Sequence, residues 1–145
     1  MAESEKDFTV HSYLEYLSNK KLMGSKCKKC GQLYAPPRKL CIKCNTANME
    51  WMEFSGNGEV AAFSCIGVGT KFFADKGYSI RKPYCFSVIK LSEGPMISGQ
   101  LIGINEIEVQ KTPPAQIIGK KVKVSFIETP IEGDKPRVDL GFEPI

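Results

Sequence analysis

Short stretches in which apolar and polar side chains alternate dominate the chain after residue 56. A period of two places one face of a strand against a core, so five such stretches predict strands. They cover residues 59–68, 84–91, 96–102, 121–128 and 137–142, and residues 92–95 (Ser-Glu-Gly-Pro) indicate a hairpin turn. Five strands in about 90 residues, without long helices, favour a small Greek-key barrel of the five-stranded OB-fold type.

Near the N-terminus, the spacing of apolar side chains changes from every second residue to every third or fourth. A short amphipathic helix is predicted over residues 9–24, with Thr9 or Ser12 as its cap and Gly24 as its end. Its apolar positions recur at roughly helical spacing: Val10, Tyr13, Leu14, Leu17 and Leu22. We expect this face to pack on its own domain or on a partner chain.

Residues 25–54 contain few large apolar side chains and are too few to fold by burial alone. The segment therefore needs a covalent or metal cross-link. Together with the strand pattern, this divides the chain into three parts: an N-terminal helical segment (1–24), a cross-linked module (25–54) and a barrel domain (55–145).

Four closely spaced cysteines supply that cross-link. Cys27 and Cys30 form one C-x-x-C pair, and Cys41 and Cys44 form another. Each pair turns two thiolates towards one ion, so the two pairs predict a closed structural zinc site without an open position for catalysis. Gly31 supplies the backbone freedom that such a turn needs. The same spacing also fits iron, as in rubredoxin, and a redox dithiol is the weaker alternative because one C-x-x-C would suffice.

The charged residues divide the chain into a basic part and an acidic part. The chain has 145 residues, of which 42% are hydrophobic and 25% charged, as in ordinary globular proteins. Residues 20–49 carry eight basic side chains and no acid. Because the whole chain carries +4, the remainder carries −4, so a basic module joins an acidic one.

The sequence contains no familiar catalytic motif. It has a single histidine, His11, and the carboxylates near the last strands read as a solvated rim: Glu128, Glu132, Asp134 and Asp139. Cys65 and Cys85 fall inside predicted strands and are expected to be buried free thiols. No apolar targeting or membrane-spanning stretch is visible, so we expect a cytoplasmic protein, in which clustered cysteines indicate metal before disulfide.

These residues resemble the domain-of-unknown-function-thirty-five family. The resemblance rests on the run K-C-K-K-C-G-x-x-Y-x-P-P-R-x-x-C-x-x-C and on further short matches: Trp51, Gly56-x-Gly58, Pro83-Tyr84, Glu93-Gly94-Pro95 and Ile118-Gly119-Lys120. It covers about residue 8 to 145. It implies a short helical N-terminus, a rubredoxin-like zinc ribbon, a C-terminal OB-fold and a non-catalytic accessory or scaffold role beside thiolase or hydroxymethylglutaryl-CoA synthase type enzymes. It also implies binding of CoA or acyl-CoA.

Two groups of side chains suit that ligand. The CoA phosphates would bind basic residues of the ribbon, with Arg38 the best single candidate because Pro36-Pro37 fixes the backbone ahead of it. The phosphate candidates are Lys26, Lys28, Lys29, Arg38 and Lys39. The long connection 69–82 carries Phe72, Phe73 and Tyr78, which are candidates for contacting the acyl or pantetheine arm or a partner enzyme. Trp51 and Phe54 are expected to pack the ribbon against the barrel.

Two other functions are compatible with parts of this sequence. Zinc ribbons and OB-folds also occur in single-stranded nucleic-acid-binding proteins, and a basic patch is their usual footprint. Against that alternative, the predicted barrel is acidic and its strands show no exposed aromatic and basic ladder. An acyl-CoA hydrolase is the other rival, and the sequence shows neither a nucleophile nor a base for it.

Overall fold

The computed structural model describes residues 7–145, so the first six residues of the predicted helical segment lie outside the described residues. The helices are α1 (Val10–Ser18), α2 (Lys71–Asp75), α3 (Glu106–Lys111) and α4 (Pro114–Ile117). The strands are β1 (Met23–Cys27), β2 (Leu33–Tyr34), β3 (Met49–Glu53), β4 (Asn57–Ile66), β5 (Tyr84–Leu91), β6 (Met96–Leu101), β7 (Lys121–Thr129) and β8 (Arg137–Pro144). Among the helices found in residues 7–145, none has both the length and the apolar character that a bilayer crossing requires.

Five strands close into a barrel in the order β4-β5-β6-β8-β7. All pairs are antiparallel except β6 with β8. The side chains of Val60, Ile89, Leu91, Val122 and Phe142 are buried inside it, as period-two alternation requires. The prediction of a mainly β chain with a C-terminal five-stranded barrel is confirmed, and β5 has the predicted bounds.

The first helix is shorter than predicted. The Thr9 hydroxyl accepts a hydrogen bond from the Ser12 N–H, and the helix ends at Ser18. Lys20 then adopts a left-handed conformation (φ 61°), and β1 begins at Met23. The prediction of helix through residue 24 is wrong because Leu22 continues the helical spacing by chance. Its buried side chain belongs to the barrel core cluster instead.

Residues 23–53 form a three-stranded antiparallel sheet in the order β2-β1-β3, which we call the ribbon. Phe54 follows it and is buried in the barrel core cluster, so it joins the ribbon to the barrel as expected. Gly24 permits this contact: a Cβ there would lie 2.1 Å from Phe54 Cε2. The predicted domain boundaries stay a prediction.

Trp51 has a different role from the one expected. Its ring stacks on Phe8 with a centroid separation of 4.6 Å and lies 4.9 Å from the ring of Tyr16. Because Tyr16 belongs to α1, Trp51 packs the N-terminal helix against the ribbon. Because α1 also contacts β8, it lies beside both the ribbon and the barrel.

Cys65 and Cys85 are joined in a disulfide, which corrects the expectation of two free thiols. The register of β4 and β5 explains the pairing, because it places the two residues directly opposite each other with a Cα–Cα distance of 4.1 Å. The sequence shows that both lie in strands but does not show the register between those strands.

Candidate metal centre and helix groove

The four predicted ligand sulfurs come together at one end of the ribbon. The Sγ atoms of Cys27, Cys30, Cys41 and Cys44 all lie within 4.8 Å of one another, and those of Cys30 and Cys41 are 3.6 Å apart. A tetrahedral site with metal–sulfur bonds of about 2.3 Å has sulfur–sulfur edges of about 3.8 Å. The quartet therefore fits a four-coordinate thiolate metal site.

Two similar turns place these sulfurs. In the first, Gly31 takes a left-handed conformation (φ 79°) and donates its N–H to the Cys27 carbonyl at 2.8 Å. In the second, Asn45 does the same (φ 55°) towards the Cys41 carbonyl, also at 2.8 Å. Asparagine tolerates this region better than most residues, so it replaces glycine in the second turn.

Tyr34 orients and activates one ligand. Its hydroxyl accepts the Ile42 N–H at 3.1 Å and lies 3.4 Å from Cys41 Sγ, so its own proton is directed at that sulfur. This hydrogen bond lowers the pKa of the Cys41 thiol to about 6. The pKa of Cys44 is raised to about 12, first because it hydrogen-bonds Cys30 and then by burial. A bound cation would displace the protons that the four sulfurs hold among themselves and would favour ionisation of all four thiols.

Replacing Tyr34 by Phe is expected to weaken metal binding about tenfold, because partners of metal ligands typically contribute 10–100-fold to affinity. Competition with a chromogenic chelator measures the change. Tyr78→Phe is the matched control, because the Tyr78 hydroxyl lies outside the quartet and accepts a hydrogen bond from Gln100 Nε2 at 3.0 Å. Equal metal affinities for the two variants would contradict the role given to Tyr34.

The basic side chains predicted to bind phosphate are all exposed on the ribbon: Lys26, Lys28, Lys29, Arg38 and Lys39. The Arg38 N–H donates to the Ser25 hydroxyl at 2.9 Å, and its guanidinium lies 5.8 Å from the Tyr34 ring centroid. Arg38 and Lys39 border an open depression beside Cys41. Their role in phosphate binding stays a prediction.

A separate groove of about 310 Å³ lies between α1, α2 and the barrel, and we call it the helix groove. Its lining is mainly apolar and aromatic: Tyr13, Leu14, Leu17, Phe72, Phe73, Lys76, Phe86, Ser98, Gly99, Gln100, Arg137, Asp139 and Leu140. Burial raises the pKa of Tyr13 to about 12, so its hydroxyl stays protonated. Pockets of this size and composition are typical of small-molecule sites.

Two of the three aromatic candidates line this groove. Phe72 and Phe73 contribute to its wall, whereas Tyr78 supports the wall from behind. The Tyr78 ring packs edge-on against Phe73 (6.0 Å), and Phe73 stacks on Tyr84 (3.8 Å). The connection 69–82 therefore contains the short helix α2 and an ordered aromatic cluster.

Sequence reasoning missed two cations of the helix groove. The Lys76 ammonium lies 4.8 Å from the Phe72 ring centroid, and the Arg137 guanidinium lies 4.3 Å from the same centroid. Arg137 Nε also pairs with Asp139 Oδ2 at 3.1 Å. Lys76 directly follows α2 and Arg137 begins β8, and these positions are far apart in the sequence, so no local pattern connects the two cations.

Fold and site together define a rubredoxin-like ribbon, with a thiolate metal-binding quartet, joined to a closed five-stranded barrel. Residues 16–50 match the family model of the ChsH2 rubredoxin-like zinc ribbon domain. The chain is 32% identical to a DUF35 domain-containing scaffold protein of Methanocaldococcus jannaschii, over 86% of this chain and 82% of that protein. The chain belongs to this DUF35 family, as its sequence resemblance indicated.

The chain is also similar to a thiolase subunit and to one solved structure. Over 57% of this chain and 51% of the relative, the chain is 34% identical to the benzoylsuccinyl-CoA thiolase subunit BbsA of Geobacter metallireducens. A solved structure described as the Ltp2-ChsH2(DUF35) aldolase matches with a TM-score of 0.70 and 21% identity, over 98% of each chain. This structural likeness shows that the two chains share a fold.

Proposed function

We propose that this chain is a non-catalytic accessory subunit that binds a thiolase-type enzyme and acyl-CoA. The observation that carries the proposal is the helix groove, an apolar site with cations at its wall and without an obvious reactive group. The names of the relatives support it, since one is a scaffold protein and another a thiolase subunit. A hydroxymethylglutaryl-CoA synthase type enzyme is the second partner that we propose.

The helix groove suits the acyl and pantetheine arm of the ligand. The rings of Phe72, Phe73 and Phe86 provide apolar surface, while Gln100 provides an amide. CoA phosphates need cations, and Lys76 and Arg137 lie at the groove itself. The ribbon candidates Arg38 and Lys39 are the second phosphate site that we propose, on a different surface from the groove.

Paired alanine substitutions separate the two phosphate sites. We expect Arg38→Ala with Lys39→Ala, and separately Lys76→Ala with Arg137→Ala, each to weaken CoA binding about tenfold if that pair contacts phosphate. Phe72→Ala should weaken binding of a long-chain acyl-CoA more than binding of CoA, because it shortens the apolar wall. Isothermal titration calorimetry measures all three variants.

Lys90→Ala with Lys123→Ala is the charge-matched control, because both side chains are exposed and neither lines the helix groove. If a double alanine variant binds CoA with the same affinity as this control, the two side chains that it lacks have no role in CoA binding. Wild-type affinity in both tested pairs would contradict phosphate binding at either site.

The ion that we propose in the quartet is zinc, with a structural role. Cys27, Cys30, Cys41 and Cys44 would hold it, and a closed set of four thiolates leaves no position for substrate. Metal analysis of protein purified from its native cell distinguishes zinc from iron, since an iron–thiolate site is coloured and a zinc site is not. We place the chain in the cytoplasm, and coordination to the metal would keep these four thiols from oxidising.

The partner is tested by affinity capture of the tagged full-length chain from native cells, followed by mass spectrometry. A thiolase-type or synthase-type enzyme should co-purify in a fixed ratio through size-exclusion chromatography. Recovery of single-stranded nucleic acid, in amounts that fall steeply with salt, would favour the rival function and contradict the proposal.

A further inference from the structure

The second metal-binding turn presents two exposed aliphatic side chains, Leu40 and Ile42, whose relative exposures are 58% and 62%. They flank Cys41, which is fully buried in the quartet. Neither side chain belongs to the apolar clusters of the described residues. We call this part of the ribbon the tip surface and define it by Arg38, Lys39, Leu40, Ile42 and Lys43.

The backbone of the tip surface is fixed in place. The Ile42 N–H donates to the Tyr34 hydroxyl at 3.1 Å, and the Cys41 N–H donates to the Thr46 carbonyl at 2.9 Å. A metal at Cys41 would hold the same turn from the inside. A partner would therefore meet a preorganised pair of apolar side chains, and little backbone entropy would be lost on binding.

Charge surrounds this apolar pair. Arg38, Lys39 and Lys43 are exposed, and none forms an ion pair with another residue in the described range 7–145. Residues 20–49 contain no acidic residue at all. A complementary surface would thus be apolar at its centre and negative at its rim, the arrangement that gives both hot-spot contacts and electrostatic steering.

The side chains at the centre of the tip surface favour a protein partner over a nucleic-acid partner. Single strands bind through aromatic side chains on which the bases stack. Leu40 and Ile42 are aliphatic, and the nearby ring of Tyr34 is partly buried, with its hydroxyl engaged by Cys41 and Ile42.

We propose that the tip surface is the docking site for the partner enzyme, which receives Leu40 and Ile42 in an apolar pocket rimmed by carboxylates. This inference rests on the proposed function and adds the surface that carries it. None of the tip residues lines the helix groove, so a partner on the tip surface would leave the groove free for an acyl or pantetheine arm.

The test uses the full-length chain and the thiolase-type or synthase-type enzyme that co-purifies with it. Leu40→Asp with Ile42→Asp should raise the Kd for that enzyme at least 30-fold, about the effect of losing one hot-spot residue. Lys39→Glu with Lys43→Glu should slow association at low salt and leave a smaller difference at high salt. Biolayer interferometry measures both effects.

Met96→Asp with Ile145→Asp is the matched control, because these exposed apolar side chains (52% and 81%) lie on the barrel. Bound metal and thermal unfolding are measured for every variant, and Leu40→Ser with Ile42→Ser repeats the test without added charge. That milder pair should also weaken binding, at least tenfold, and the control should leave the Kd within a factor of about two.

The outcomes separate this inference from the proposed function. Enzyme binding that survives in folded, metal-loaded tip variants would overturn the docking site and leave the proposed function intact. If no such enzyme co-purifies with the wild-type chain, the proposed function fails and the docking site fails with it. Loss of RNA or DNA binding in the tip variants, without any enzyme partner, would also overturn the inference.

Discussion

Removing the metal is expected to unfold the ribbon while the barrel stays folded. Besides the cysteines, the only buried apolar side chain in the ribbon's own described cluster is Met49, with Phe8 and Tyr34 packed against it. So small a cluster cannot offset the chain entropy of about 30 ordered residues, whereas metal–thiolate bonds supply about 10–16 kcal/mol in related small sites. The barrel has its own core around Ile89 and Phe142.

Hydrogen exchange of the full-length chain, with and without a chelator, measures this effect. Amides of β1 and β3 should lose at least about 100-fold of their protection, while those of β5 should keep theirs. Cys41→Ser should behave like the chelated protein. The control is Cys65→Ser with Cys85→Ser, which removes the two cysteines outside the quartet and should leave the metal content unchanged.

Unchanged protection, or unchanged protease resistance of residues 25–54, in verified metal-free protein would contradict this account of the ribbon. It would mean that contacts with α1 and the barrel hold the ribbon without an ion. Trp51 and Phe54 are the residues that would then carry its stability.

Truncating Phe54 is expected to have the second large effect. Its side chain is 4% exposed, belongs to the barrel core cluster and fills the space left by Gly24. Phe54→Ala should lower the free energy of unfolding by about 3–5 kcal/mol, the usual loss for a buried phenylalanine. It should also loosen the ribbon relative to the barrel, because Phe54 connects the two.

Urea denaturation of metal-loaded protein gives the free energy of unfolding for this variant. Phe86→Ala is the matched control, since that ring is 38% exposed and its loss should cost less than about 1.5 kcal/mol. Equal losses for the two variants would contradict the view that Phe54 connects the two parts.

The barrel was predictable because its strands alternate. In β5, Cys85, Ser87, Ile89 and Leu91 face inward, and this period of two is visible in the sequence. The metal quartet was predictable for a similar reason, since its spacing is local. The predicted helix ran too far because Leu22 satisfies a helical period and the left-handed turn at Lys20 leaves no clear sequence signal.

Features that depend on distant parts of the chain were not predictable. The helices α2, α3 and α4 have only four to six residues, too few to display a period. The Cys65–Cys85 disulfide depends on strand register. The helix groove combines side chains of α1, α2, β5, β6 and β8, so the sequence supplied Phe72 and Phe73 but not Lys76 or Arg137.

The accessory role is tested by the rate of acyl-CoA condensation or cleavage, measured for the co-purifying enzyme, for this chain, and for the two together. We expect no turnover by this chain, and a lower KM or a higher rate for the enzyme when the chain is present. The tip-surface variants should lose this effect on the enzyme to the same extent as they lose binding to it. Turnover by this chain without the enzyme, or enzyme kinetics that its presence does not change, would contradict a non-catalytic accessory role.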